Sequence, residues 1–172
     1  SLPDFTFING DICDINTVKH ASEGIDFIFH QAALGSVPRS IENPIATHNA
    51  NASGFLSVLV AAKNAGVKRI VYASSSSVYG DSIDSPKREE KIGKPLSPYA
   101  VSKLVNEFYS DIFSRTYNME IIGLRYFNIF GPRQNPKGAY AAAIPLFIDG
   151  LLNNKQVFIN GDGEQSRDFT FV

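Results

Sequence analysis

Short continuous apolar runs alternate along this chain with longer stretches whose apolar positions recur at helical spacing. Phe5 to Asn9 is the first run. It ends in Gly10-Asp11 and predicts a strand. Asp14 can cap a short helix through about Ser22, with Gly24 to end it. Asp26 to Gln31, built around Phe27, Ile28 and Phe29, predicts a second strand. An apolar run bounded by turn residues suits a strand buried on both faces of a parallel sheet. Ala32 to Asn43 is rich in small residues and reads as a loop, and Pro44 can open a helix to about Ala65, closed by Gly66. Arg69 to Ala73 predicts a third strand, with a serine run at its carboxyl end. Asp81 to Ser97 is polar and reads as a solvated surface loop. A helix is predicted over Tyr99 to Tyr117 and a fourth strand over Glu120 to Tyr126. Phe127 to Gly138 is a Pro/Gly/Asn-rich loop. Ala139 to Leu152 predicts a helix that Pro145 kinks or restarts. Val157 to Asn160 and Asp168 to Val172 read as short strands around the turn Gly161-Asp162-Gly163. Helices between consecutive apolar strands predict an α/β fold with a doubly wound parallel sheet.

Composition bounds this picture without changing it. The 172 residues suffice for about one domain with a sizeable core. The chain is 44% hydrophobic and 19% charged, which fits a globular protein and not a disordered one. A formal net charge of -1 gives no reason to expect nucleic acid or an anionic membrane as partner. No apolar run approaches the roughly 20 residues of a membrane helix. The single cysteine, Cys13, excludes an intrachain disulfide and fits a reducing compartment, so the expected location is the cytoplasm. His20, His30 and His48 show no ligand spacing, and no metal site is expected.

Candidate chemistry centres on Tyr99-Ala100-Val101-Ser102-Lys103. Tyr and Lys four apart on a helix lie on one face, one turn from each other. A free tyrosine titrates near about 10 and is a poor base at neutral pH, and a neighbouring ammonium favours its phenolate. Such a pair can move a proton to or from a hydroxyl or carbonyl. Tyr-x-x-x-Lys also arises by chance, so its company matters. Open parallel sheets bind ligands at the carboxyl ends of their strands. Here those ends carry Gly10-Asp11, Gln31-Ala32-Ala33, Ser74 to Ser77 and Arg125-Tyr126-Phe127-Asn128. All four are expected to face one crevice with Tyr99 and Lys103.

Three segments together resemble the extended short-chain dehydrogenase/reductase family that acts on nucleotide sugars. They are Tyr72-Ala73-Ser74-Ser75-Ser76-Ser77-Val78-Tyr79-Gly80, Ser97-Pro98-Tyr99-Ala100-Val101-Ser102-Lys103, and Gly123-Leu124-Arg125-Tyr126-Phe127-Asn128-Ile129-Phe130-Gly131-Pro132-Arg133. Gly161-Asp162-Gly163 with Ser166-Arg167-Asp168-Phe169 adds a fourth match. Within the family, Leu34 to Ser40, Gly93 to Tyr99 and Gly138 to Ala142 resemble the UDP-N-acetylglucosamine 4-epimerase group. The resemblance implies a Rossmann-like fold and NAD as a bound catalyst. It implies that Tyr99 takes the sugar 4-hydroxyl proton and that Lys103 holds the nicotinamide ribose and favours the phenolate. Ser75, with Ser76 helping, would hydrogen-bond the 4-oxygen. Further cofactor contacts would be Asp11, Ile12, Gln31, Ala32, Ala33, Asn51, Ser74 and Tyr126. Substrate contacts would be Ser36, Arg39, Asn128, Ala142 and Arg167, with room for an acetamido group at Ala142. The implied activity is 4-epimerisation of a UDP-sugar, UDP-N-acetylglucosamine foremost, in a homodimer. UDP-glucose or UDP-glucuronate, and a non-catalytic nucleotide-sugar binder, are the alternatives.

Departures narrow this reading. Related dehydratases carry an Asp-Glu pair after the catalytic Ser/Thr, where Ser76 and Ser77 stand here. The family's opening Gly-x-x-Gly-x-x-Gly turn, which binds the pyrophosphate at a helix N-terminus, is absent from these residues. The chain also starts without Met. It is therefore expected to be an internal piece of an epimerase. Residues 1–135 would be a partial NAD-binding domain and 136–172 the start of the substrate-binding region.

Overall fold

A computed structural model describes residues 4–136, 142–159 and 161–172. The chain forms two compact units, Ser1–Arg125 and Tyr126–Val172. That division lies N-terminal to the 135/136 boundary drawn from the sequence.

In the first unit, α1 (Ile15–Ser22) starts at Asp14, whose carboxylate accepts from Asn16 N at 3.0 Å. Strands β1 (Phe27–His30) and β2 (Arg69–Ser75) run parallel, with Phe27 opposite Arg69 and His30 opposite Tyr72. Strand β3 (Glu120–Tyr126) completes the sheet in the order β1-β2-β3. Arg69 meets Glu120 in an ion pair of 2.8 Å, and Tyr72 lies against Gly123. The equal spacing along both strands sets β3 parallel to β2. Parallel strands joined through helices are the Rossmann-like α/β arrangement.

The helical stretch between β1 and β2 is more divided than the sequence pattern implies. Residues 32–43, expected as a loop, contain α2 (Val37–Glu42). Ser36 caps it, accepting from Arg39 N at 3.2 Å, and Pro38 lies in its first turn. A serine followed by a proline in the first turn is a helix start that the small-residue composition hides. Then α3 (Pro44–His48), a π-helical segment (Asn49–Ser53) and α4 (Gly54–Ala65) follow as one run, closed by Gly66 in a left-handed conformation. α5 (Pro98–Tyr117) starts at Ser97, whose hydroxyl accepts from Ala100 N at 3.1 Å.

The core forms on one face of the sheet. Phe55, Leu59 and Ala62 of α4 pack with Ile70 and Tyr72 of β2 and Phe113 of α5. The other side of α4 presents Val58 and Ala61 to Val18 of α1. Along β1, Ile28 and His30 turn toward this core, whereas Phe27 and Phe29 are exposed. Period-two alternation of strand side chains explains that split. Phe5 to Asn9 forms no strand, because a strand exists by its ladder partner and no described residue pairs with it.

The second unit has β4 (Asn128–Phe130) paired in parallel with β5 (Phe169–Phe171), and α6 (Ala143–Leu152). Pro145 sits in the first turn of α6, where a missing N–H costs nothing, so the helix starts there instead of kinking. Residues 139–141, expected in this helix, lie outside the described residues. Val157 to Ile159 is not a strand, and Asn160 is outside the described residues. The partner of β5 is therefore β4, and the hairpin expected around Gly161-Asp162-Gly163 does not form.

Candidate active site

Lys103 is a buried charged side chain of the first unit. It is 3% exposed, its Nζ donates to Ala73 O at 2.8 Å, and it lies 6.0 Å from the centre of the Tyr99 ring. Burial pushes the ammonium down to about 8. An ammonium removed from water and held by a carbonyl remains a strong donor that can also release its proton near neutrality. The N-terminal turn of α5 presents Tyr99 on the same face. The Tyr99 hydroxyl has no hydrogen-bond partner among the described residues, which leaves it available to a ligand.

Ser75 ends β2 and caps the single 3-10 turn Ser76–Tyr79. Its Oγ accepts from Ser77 N at 3.2 Å and from Ser77 Oγ at 2.9 Å. Two accepted bonds leave its own hydrogen to donate outward. Ser76 is half-buried in the same turn. Ser74 points the other way, into the protein, and donates to Glu107 Oε1 at 2.5 Å. Its hydroxyl is thus bound within the chain.

Asn51 is 1% exposed, on the π-helical segment. Its Oδ1 accepts from Leu34 N at 2.7 Å, and its Nδ2 donates to Leu34 O at 3.2 Å and to Ser102 Oγ at 3.1 Å. Ser102 in turn donates to Tyr99 O at 2.7 Å. Both amide hydrogens are committed, so Asn51 ties the loop after β1 to the start of α5. Ser36 is the cap of α2, with its Oγ on Arg39 N. Arg39 lies in the first turn of that helix.

Asp11, Ile12, Gln31 and Ala32 line one cavity of about 400 Å³ with His30 and Val58. Ala33 follows them, exposed. Asp11 Oδ1 accepts from Cys13 N at 2.8 Å. His30 is 5% exposed, its ring lies tilted 5.2 Å from that of Phe55, and its Nε2 has no partner among the described residues. Burial, then the nearby Lys103 charge, lowers its imidazole to about 4.

In the second unit, Asn128, Ala142 and Arg167 line a cleft of about 730 Å³ with Phe127, Phe147 and Gln165. The cleft thus holds a cation, an amide and a small side chain against apolar walls. Asn128 Nδ2 donates to Asp168 O at 3.0 Å, and Arg167 Nη1 to Ser166 O at 2.7 Å. Tyr126 is half-buried at the end of β3.

Sequence reasoning gave no role to His30, Ser102, Glu107 or Arg125. A helical turn separates Glu107 from Lys103, and Arg125 precedes Tyr126 within a quoted motif, so both could have been found by position. The burial of His30 has no local signal. Among the described residues no cluster of His, Cys, Asp and Glu could hold a metal, and no helix is long and apolar enough to cross a membrane.

All of residues 1–172 match the NAD dependent epimerase/dehydratase family. The chain belongs to that family. It is 41% identical to a UDP-N-acetylglucosamine 4-epimerase of Methanobrevibacter ruminantium M1 solved with UDP-N-acetylmuramic acid. That superposition has a TM-score of 0.92 and covers 96% of this chain and 53% of that one. It is 35% identical over 170 residues to a UDP-glucose 4-epimerase of Mycolicibacterium smegmatis, covering 98% of this chain and 54% of the relative. It is 32% identical to a UDP-glucuronic acid 4-epimerase of Bacillus cereus solved with UDP-glucuronic acid and NAD, with a TM-score of 0.88, covering 99% and 53%. The chain thus spans about half the length of the relatives it matches. The cavity beside Asp11 is large enough for part of an extended ligand. It sets one carboxylate, a hydrogen-bond acceptor, among Ile12, Ala32 and Val58.

Proposed function

We propose that this chain carries the proton-transfer centre of an NAD-dependent UDP-sugar 4-epimerase whose preferred substrate is UDP-N-acetylglucosamine, converted to UDP-N-acetylgalactosamine. The observation that carries this reading is the buried Lys103 ammonium on the Ala73 carbonyl, one helical turn from a Tyr99 hydroxyl with no partner among the described residues. A pure binding protein has no use for that pair, and burying an unpaired ammonium is costly.

In the proposed reaction, Tyr99 as phenolate takes the proton of the sugar 4-hydroxyl. Ser75 donates its hydrogen to the 4-oxygen, and Ser76 stands beside it. Lys103 would donate to the nicotinamide ribose. Bound NAD would supply the acceptor for the C4 hydride and return it. Asp11 and Ile12 would hold the adenine, with Gln31, Ala32, Ala33 and Tyr126 along the cofactor. The 4-keto sugar turns over, and Tyr99 returns its proton to the 4-oxygen, so the proton count closes. Asn51 and Ser74, whose polar atoms are bound within the chain, support the cofactor site from behind.

Arg167 and Asn128 would hold the sugar diphosphate, since a guanidinium offers paired donors at fixed charge. Ser36 and Arg39 would border the sugar. Ala142 would leave space for an acetamido group, which favours the N-acetyl sugar over UDP-glucose or UDP-glucuronate. The protein would work in the cytoplasm, in the supply of sugars for polysaccharides, as a homodimer through α4 and α5, where Phe108 and Ile112 are exposed. The test is a proton NMR spectrum of the whole protein with NAD and UDP-N-acetylglucosamine. Growth of galacto-configured anomeric signals is expected. Their absence with wild-type protein, alongside turnover of UDP-glucuronate, would move the reading to the uronic acid.

A further inference from the structure

Glu107 and Arg125 have no part in the reaction above, yet they join the elements that carry it. Glu107 lies on α5 one turn past Lys103. Its Oε1 accepts from Ser74 Oγ at 2.5 Å and Arg125 Nε at 2.9 Å, and its Oε2 accepts from Arg125 Nη2 at 2.7 Å. The two side chains are only 19% and 16% exposed, so the pair is largely out of water. Arg125 lies 4.9 Å over the Tyr79 ring, and its Nη1 donates to Glu89 O at 2.9 Å. Glu107 holds the guanidinium firmly charged. α5 therefore grips the end of β2 at two successive residues. Lys103 holds the Ala73 carbonyl, Glu107 holds the Ser74 hydroxyl, and Ser75 comes next.

The groups around Lys103 are few. Its own helix brings Tyr99 and Glu107, and β1 brings His30, held neutral by burial. From β2 comes the Ala73 carbonyl, with Tyr72 facing Glu107 and Arg125 and its phenol pushed up to about 12. The π-helical segment presents the neutral Asn51 at Ser102. Glu107 is thus the carboxylate one helical turn from Lys103, and Arg125 occupies both its oxygens.

We propose that Glu107 and Arg125 are a positioning pair for Ser75, Tyr99 and Lys103. Arg125 commits the Glu107 carboxylate to itself and Ser74, which pins the serine end of β2 to α5 and keeps that carboxylate off the Lys103 ammonium. The proposal rests on the functional reading above for its effect on turnover, but not for its effect on Lys103.

The test compares wild type, Arg125→Met and the double variant Glu107→Gln/Arg125→Met in the whole protein. Two readouts are taken: kcat and KM for UDP-N-acetylglucosamine, and the titration of Lys103 followed by NMR of lysine carrying 13C at Cε. In Arg125→Met the released carboxylate should raise the Lys103 midpoint by about one pH unit. kcat should fall by about tenfold or more with KM within about twofold. The double variant carries no unpaired charge, and the amide introduced by Glu107→Gln can still accept from Ser74. Its Lys103 midpoint should return toward wild type, and its kcat should exceed that of Arg125→Met. A Lys103 midpoint unmoved in Arg125→Met, or equal in the two variants, overturns the proposal. So does a moved midpoint with unchanged kcat. Failure of both variants to fold also overturns it, because the pair would then be holding the fold itself. A wild type that epimerises no UDP-sugar sinks the functional reading, while the Lys103 titration still decides the pair.

Discussion

His30 is a titratable ring that its surroundings keep neutral down to about pH 4. Its Nε2 is buried without a partner among the described residues, the Phe55 ring lies tilted against it, and Lys103 repels a second positive charge. Unfolded, such a ring titrates near about 6.5; folded, it is held to about 4. Between those values the unfolded chain binds more protons, so stability rises with pH across the window. The contribution is complete above the upper value and is lost as pH falls toward the lower, amounting to about 3 kcal/mol. Denaturant midpoints at pH 7 and pH 5 should therefore differ less in His30→Phe, which keeps the ring contact, than in wild type. Equal pH slopes in the two proteins would exonerate His30. Lys103 shifts in the same direction but higher up. Its folded value of about 8 lies below the roughly 10.4 of a free lysine, so its burial makes stability rise with pH across that alkaline window. At Tyr99 the consequence is chemical. Tyr99→Phe removes the atom proposed to move the proton and little else, so kcat should drop about 10²–10⁴-fold while UDP-sugar binding, read by calorimetry, stays within a few-fold.

The secondary elements hold these residues through their ends. Ser97 caps α5 just before Tyr99, so Ser97→Ala should cost about 1 kcal/mol and loosen the turn that carries the phenol. Gly80 ends the serine turn at φ 56° and ψ −130°, and a Cβ there would collide with the Lys94 carbonyl oxygen. Gly80→Ala must break both constraints at once. It should lower the melting temperature more than Ser97→Ala does, and the reverse order in thermal unfolding would show that the segment around Lys94 yields freely. The caps are visible in the sequence for a simple reason: Asp14, Ser97 and Gly66 act on their own helices, through backbone groups within a few residues. The strand pattern is visible too at Phe27 to His30, Arg69 to Ser75 and Glu120 to Tyr126, where apolar runs meet real ladder partners. Phe5 to Asn9 has the same composition without a partner, and composition cannot report a ladder. The π-helical turn at Asn49–Ser53 is hidden because Asn-Ala-Asn-Ala-Ser carries no local signal that separates a π turn from an α turn. Its cause is tertiary: Asn51 must reach both Leu34 and Ser102. The site divides in the same way. The Tyr99–Lys103 pair is legible because its spacing is local, and Ser75 is legible through the motif that resembles the family's. The inward turn of Ser74 and the committed amide of Asn51 depend on Glu107 and Leu34, which are far away in the chain.

Taken whole, the molecule separates its proposed tasks between two compact units. Proton transfer belongs to residues of Ser1–Arg125, and diphosphate binding to the cleft of Tyr126–Val172. The bonds that hold Lys103 and Ser75 close within the first unit, and Arg167 donates to Ser166 O within the second. Independent sites contribute additively to free energy, whereas residues of one network do not. Arg167→Ala should therefore weaken UDP-sugar binding by about tenfold to a hundredfold, the loss of the proposed charge-assisted contact to phosphate. The pH dependence of kcat should stay where wild type has it. Tyr99→Phe should do the opposite, leaving the dissociation constant and removing turnover. In the double variant the binding loss should equal that of Arg167→Ala alone, within about 0.5 kcal/mol by calorimetry. A binding loss that grows when Tyr99 is also replaced would mean the phenol holds the sugar in the ground state. Tyr99 would then be in part a binding residue, and the fall in kcat could not be credited to proton transfer alone.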